Sequence, residues 1–461
     1  MLKQPTIIIC ISIFLLVSNH CAAMTIQEEI KLGEIFSKEV RSHFPMIEDQ
    51  DILSYVSYVG NRLLNAVPEK HFDFHFYVIK EKTYNAFAGP GGHIFVHSGL
   101  IEAMTSELEL AGIMAHEIAH VVCRHISERI DKSKPVNLAA MAGTIVGILV
   151  GGNVGAAMVV GSAAAQQSMF LAYTRENERE ADQNSLRYLR DANYNGLGLL
   201  NILKVIKKYN WVDVSGIPTY VMSHPAINER LVYLDTTMNA RPEFARPAEN
   251  LQSFSFKKVR MRIQALYSNN HPAQFFEKQI KTNPDDFLSY YGYGLKLAVT
   301  GKRKHAVAEL KKALQMRPFD SDILRDTGIA NFYVGDYSQA VTYLQSANNI
   351  APNDYECQFF LGRANESLGN TDFAINMWER LLISTPNQNR LHYHLGTLYG
   401  RIEKLGDAHY HLGIYYQATN NMKLARFHVK KAMTYIDKSS NRYKELQEIL
   451  NKTSRKKDKI K

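Results

Sequence analysis

Between residues 26 and 64 apolar side chains recur at three- and four-residue spacings, the signature of helix with one buried face. The period then changes. Residues 72–79 alternate and are rich in aromatics, which predicts a strand. Residues 85–96 read as a turn through Gly89-Pro90-Gly91-Gly92 and a second strand through Ile94, Phe95 and Val96. Ser106 and Glu109 have capping-box spacing and predict a long helix to about Ile130. Residues 135–174 contain no Asp, Glu, Lys or Arg, and Gly151-Gly152-Asn153 interrupts them midway. This segment predicts a buried helical hairpin, the alternative being a hydrophobic flap that touches membrane or an unfolded client. Residues 136–150 are too short and too rich in small side chains for a comfortable spanning helix.

The second half repeats. Pro284, Pro318, Pro352 and Pro386 recur every 34 residues, the tetratricopeptide period. Gly294, Gly328, Gly362 and Gly396 each precede an alanine (Ala306, Ala340, Ala374, Ala408) by twelve residues. Small residues there let paired helices approach closely, and each proline ends a second helix. Gly413 and Ala425 keep the offset half a repeat later, so the array is expected to reach about Leu450, with 254–284 as a degenerate first repeat. Pro242 and Pro247 mark the boundary between the halves.

Composition changes this picture little, because 21% charged and 46% hydrophobic residues are ordinary for a globular chain. The formal charge of +9 is misleading. Six basic residues and one Asp crowd into 452–461 and Lys3 lies near the start, so no basic face remains to suggest nucleic acid. Lys3, the apolar run 7–17 and Cys21-Ala22-Ala23 read as a cleavable export signal, residues 1–23. Its loss leaves Cys123 and Cys357 in different domains, which is no disulfide framework.

The chemistry centres on His116-Glu117-Ile118-Ala119-His120. Positions i and i+4 of a helix face the same way, so His116 and His120 can offer two imidazole nitrogens to one Zn²⁺. Glu117, about 100° around the helix, can act on a metal-bound water. On one continuous helix His125 lies about 180° from His116 and points away. A third histidine at metzincin spacing is absent, since position 126 is Ile126 and position 123 is Cys123. A downstream carboxylate is therefore expected. Glu178 and Asp182 share a helix face, so one can ligate while the other takes an imidazole N–H.

These motifs, with Asn85-Ala86-Phe87-Ala88, Gly91-Gly92 and Ser98-Gly99-Leu100, resemble the gluzincin family that includes HtpX and the Ste-type CAAX proteases. The export signal and repeats are similar to its soluble bacterial branch. The resemblance implies a mainly α chain: an α+β zincin-like peptidase domain with a small sheet (24–245), an α-solenoid of repeats (250–450) and a basic disordered tail (451–461). It implies one zinc per chain held by His116, His120 and Glu178, with Glu117 as the base and Asp182 behind the ligands. It also implies a periplasmic role in quality control of outer-membrane proteins, with the repeats binding clients or assembly machinery. His224-Pro225 and Arg230 match a segment that crosses the active site in such enzymes. His224 is expected either to stabilise the oxyanion or to occupy zinc's open position. Substrate backbone is expected to pair with an exposed edge of the strand Ile94, Phe95 and Val96. An adaptor that holds clients on the repeats, with proteolysis secondary or latent, is the competing expectation.

Overall fold

The computed structural model describes residues 24–133, 142, 173–210, 219–249, 251, 253–386 and 388–458. The expected export signal and nearly all of 135–174 lie outside these residues, so the hairpin and membrane-contact expectations do too. Among the described residues no helix is long and apolar enough to cross a membrane. The chain divides into two units, residues 1–263 and 264–461.

In the first unit the helical stretch at 26–64 is two helices. α1 (Ile26–His43) opens on a capping box between Thr25 and Glu28. Phe44, extended before Pro45, ends it. α2 (Gln50–Leu64) restarts behind Asp49, whose carboxylate accepts from the Asp51 and Ile52 amides.

The sheet joins β1 (His75–Ile79), β2 (Ala86–Ala88) and β3 (His93–His97) in the order β1-β3-β2, with β3 parallel to β1 and antiparallel to β2. The turn into β3 needs its glycines: Gly91 and Gly92 have φ of 68° and 89°, and a Cβ on Gly92 would lie 2.5 Å from the Asp73 carbonyl. This topology corrects one expectation. Ile94, Phe95 and Val96 lie on the central strand, buried and paired on both sides, so they offer no edge to a substrate.

α3 (Ser98–Ala103) leads to α4 (Glu107–Val122), which is buried on nearly every face. Its cap differs from the expected box. Ser106 makes no side-chain bond, and the Glu109 carboxylate instead accepts from the Thr105 amide and hydroxyl at 2.6 and 3.0 Å. α4 also stops eight residues before Ile130. Arg124 takes a left-handed φ of 55°, and α5 (His125–Ser133) sets off afresh. The Arg124 guanidinium, donating to Glu29 at 2.9 Å and to the Met24 carbonyl at 2.5 Å, holds that turn.

α6 (Arg175–Asp191) and α7 (Leu197–Asn210) flank α4. A Cβ on Gly112 would lie 2.4 Å from the Leu199 amide, and one on Gly198 2.0 Å from the Leu108 carbonyl. Glycine at both places lets the α4 and α7 backbones touch. α8 (Thr219–Ser223), α9 (Ile227–Ala240) and α10 (Ser253–Arg262) complete the unit. α10 extends the first unit past the expected boundary at 245–250. Arg262 binds Asp49 at 2.7 Å and Asp51 at 3.1 Å, and Phe256 meets the Tyr55 ring, so the segment belongs to the first unit.

The second unit is a tetratricopeptide-type array of antiparallel helices. After α11 (Ala273–Thr282) come the pairs α12 and α13 (Phe287–Val299, Arg303–Met316) and α14 and α15 (Ser321–Val334, Tyr337–Ile350). α16 and α17 (Tyr355–Ser367, Thr371–Ser384) and α18 and α19 (Asn389–Arg401, Leu405–Ala418) follow, then α20 (Met422–Ala432) and α21 (Asn441–Asp458). Each of the four periodic prolines stands two residues beyond a helix end. A Cβ on Gly294, Gly328 or Gly396 would lie 2.6–2.7 Å from Cγ of the leucine sixteen residues on, and Trp378 fills the equivalent place against Gly362. The end differs from expectation: α21 carries the basic segment as helix through Asp458, with Leu446 and Ile449 packed against Tyr410 and Val429.

Candidate active site

α4 presents His116 and His120 one turn apart, with their Nε2 atoms 3.0 Å apart. From α6, Glu178 brings Oε2 to 3.4 Å from His116 Nε2 and Oε1 to 3.3 Å from His120 Nε2. From the α8–α9 corner, His224 brings Nδ1 to 3.0 Å from Glu178 Oε1. All four side chains are buried, and each offers one donor atom within 4.8 Å of the others.

Hydrogen bonds fix which nitrogens carry protons. An ionised carboxylate only accepts, so Asp182, 3.0 Å from His116 Nδ1, takes the proton there and leaves Nε2 a lone pair. His120 Nδ1 lies 2.9 Å from His125 Nδ1, and His125 Nε2 lies 3.2 Å from Glu180 Oε2. His125 therefore donates to Glu180 and accepts from His120, whose Nε2 also keeps a lone pair. His125 does not point away. The break at Arg124 turns it back beneath His120, which a continuous helix forbids.

Two imidazole nitrogens and a carboxylate thus converge on one point, with the Arg230 guanidinium at its edge, Nη2 lying 3.3 Å from His116 Nε2. A first-row cation held at about 2.0–2.2 Å by nitrogen and oxygen separates its donors by roughly 3.3 Å in a tetrahedron, so this set fits one. The electrostatics agree. Burial and Arg230 oppose a charge on His116, yet the Asp182 and Glu178 carboxylates raise it to about 9, drawing a proton to where a cation would sit. Burial holds His120 well below the ordinary histidine range. Glu178 stays well below the usual carboxylate range despite its burial, because Arg230 and His224 face it.

Glu117 is buried beside the cluster, and neither carboxylate oxygen has a hydrogen-bond partner among the described residues. Burial raises its pKa, partly offset by His224 and His116. Oε1 lies 3.7 Å from His224 Nε2. Arg230, on α9, donates to both Asp182 oxygens at 2.9 and 2.7 Å and lies 2.5 Å from Glu178 Oε2, fastening the two carboxylates of α6 to one guanidinium.

Sequence reasoning missed the aromatic walls. Tyr173 stacks on His120 at 3.8 Å and Tyr220 on His224 at 4.3 Å, both buried. Their positions follow no periodic pattern. The amide of Tyr173 donates to the Ser223 carbonyl, and that of His224 to the Tyr220 carbonyl at 2.7 Å, which seats the imidazole over the cluster.

This geometry lies inside a recognisable family region. Residues 54–238 match the model of Peptidase family M48. The chain is 26% identical to the beta-barrel assembly-enhancing protease of Yersinia pestis over 79% of this chain and 76% of that one. It is 24% identical to the protein of that name from Escherichia coli K12, over 78% and 74%. Metalloprotease LoiP of Escherichia coli is 29% identical over 40% of this chain and 69% of its own. Of solved structures, the MamA RS-1 ArsTM double mutant covers 32% of this chain and 84% of its own at 21% identity and a TM-score of 0.31. Over residues 54–238 the chain is thus similar to the metallopeptidases of Peptidase family M48.

Proposed function

We propose that this chain is a zinc metalloendopeptidase with one catalytic zinc held by His116, His120 and Glu178, and with Glu117 as its general base. The observation that carries this reading is the convergence of two imidazole nitrogens and a carboxylate beside a buried Glu117 that has no hydrogen-bond partner among the described residues. Zinc, when bound, supplies Lewis acidity toward water and toward the scissile carbonyl. Glu117 takes the proton from the attacking water and passes it to the leaving amine, a task suited to a carboxylate whose pKa burial has raised. Asp182 and Arg230 keep the ligand rings and Glu178 oriented.

The names of the relatives support a protease that serves beta-barrel assembly; with the expected export signal, this reading extends to an exported enzyme acting on misfolded or stalled outer-membrane proteins, the array holding clients or assembly machinery. Zinc content and casein cleavage test the reading. Glu117→Gln should retain zinc and lose cleavage by about 10²–10⁴-fold. Undiminished cleavage by that variant contradicts it.

One observation favours a latent state. His224 offers a nitrogen within 4.8 Å of the other three donor atoms, where it would fill the open position a catalytic zinc needs. In this state the repeat array works as a client-holding adaptor until the segment moves. His224→Ala should then cleave faster than wild type; a slower variant assigns His224 to the oxyanion instead.

A further inference from the structure

Next to the catalytic cluster is a second set of potential ligand atoms, two of which, on His125 and Glu180, also stand behind the ligand His120. Cys123 Sγ, a nitrogen of His125 and a carboxylate oxygen of Glu180 lie within 4.8 Å of one another. The turn that assembles them is built at a cost, since Arg124 holds a left-handed φ that a non-glycine residue rarely adopts. It brings Cys123, at the end of α4, and His125, at the start of α5, against Glu180 on α6. The surroundings differ from those of the first cluster. Glu180 has 59% of its side chain exposed, so this site opens to solvent. Asn184 Nδ2 donates to Cys123 Sγ at 3.1 Å, an interaction stronger with a thiolate than with a thiol.

We propose that Cys123, His125 and Glu180 form a second, exchangeable site for a zinc-class divalent cation, with solvent completing the coordination. Sulfur, imidazole nitrogen and carboxylate oxygen are the three donors zinc takes from proteins. Without a cation the thiol is neutral and inert, because burial and the Glu180 carboxylate push it up to about 11. On binding, the sulfur–cation bond forms as the thiol proton leaves to water.

Occupancy of this site opposes occupancy of the first, a consequence that rests on the proposed catalytic ligands although the second site does not. Only one proton fits between His120 Nδ1 and His125 Nδ1 at 2.9 Å. A cation on His125 Nε2 moves that ring's proton to Nδ1, which then donates to His120 Nδ1. The proton of His120 moves to Nε2, the atom aimed at the catalytic metal. An excess of zinc therefore weakens the catalytic site through a shared proton.

Cobalt titration of the metal-free full chain tests this, because only the second site contains sulfur. The first equivalent should give visible ligand-field bands without near-ultraviolet thiolate-to-cobalt absorption, and a second equivalent should bring that absorption in. Cys123→Ser should bind the first equivalent normally and never show it, and Glu180→Gln should need roughly tenfold or more cobalt to reach it. Wild type saturating at one equivalent without the thiolate band overturns the second site and leaves the protease reading intact. Loss of the first equivalent instead overturns the protease reading. The coupling is overturned if excess zinc inhibits Cys123→Ser as strongly as wild type.

Discussion

In the repeat array, buried polar side chains are answered within the array. Tyr291 donates to Asp326 at 2.6 Å, Trp378 to the Phe359 carbonyl at 3.2 Å, and Asn331 and Asn365 to carbonyls one turn back. Unanswered buried atoms there, such as His411 Nε2 and Asn348 Oδ1, are scattered singly. In the peptidase unit His97 Nε2 is likewise single, but Glu117 Oε1, Glu117 Oε2 and His224 Nε2 are, among the described residues, unanswered together beside the nitrogens of His116 and His120. An orphaned polar atom is expensive in either place. Scattered orphans are the imperfections of packing. Orphans that converge are a site waiting for a ligand, and their charges are already arranged for a cation.

Variants that act on one unit alone test this contrast. The largest stability effect belongs to the array: Trp378→Ala removes a fully buried ring and should cost about 3–5 kcal/mol in urea unfolding, with zinc content unchanged. Loss of zinc in that variant breaks the contrast. Asp182→Asn keeps the shape but removes the charge that holds His116 Nδ1–H, and zinc affinity should fall about 10–100-fold in a competition titration. Unchanged affinity would mean that the ring is fixed by packing alone.

An acid titration probes a third kind of buried polar group, one that faces no ligand. His97 is fully buried, its Nδ1 meets the Thr83 hydroxyl at 2.8 Å, and burial lowers it to about 3. The unfolded chain therefore binds a proton near pH 6.5 that the folded chain refuses. The contribution of His97 to stability is intact above pH 6.5 and is lost progressively as pH falls toward 3. His97→Gln should flatten the pH dependence of peptidase-unit unfolding between those limits; an unchanged slope contradicts this. The smallest effect lies in the array's turns. Gly301, Gly335 and Gly369 take φ of 83–88°, but the fourth equivalent residue is Glu403 at 59°. Glu403→Gly should raise the array's melting stability by up to about 1 kcal/mol, and Gly335→Ala should lower it similarly.

The two units were legible in the sequence to different depths. The array's period is local: each proline and each Gly–Leu contact recurs at a fixed offset, so spacing alone locates the helix ends at Thr282, Met316, Ile350 and Ser384. Helical spacing likewise puts His116 and His120 on one face of α4 and Glu178 and Asp182 on one face of α6. Long-range packing carries no such mark. Nothing in the string shows that Arg124 turns left-handed, so His125 reads as pointing away although it lies under His120. The apolar run of Ile94, Phe95 and Val96 after a glycine turn identifies a strand, but not that β1 and β2 pair with both its sides. Residues 253–262 join the first unit through Arg262 and two aspartates more than two hundred positions earlier, a contact that the prolines at 242 and 247 do not foreshadow.

X-ray absorption at the zinc edge, on full chain loaded with one equivalent of zinc, tests the central claim most directly. The converging atoms of His116, His120 and Glu178 predict a first shell of nitrogen and oxygen alone at about 2.0–2.2 Å, with imidazole scattering from two or three rings. A sulfur shell at about 2.3 Å at that loading, or zinc that fails to bind, would contradict it.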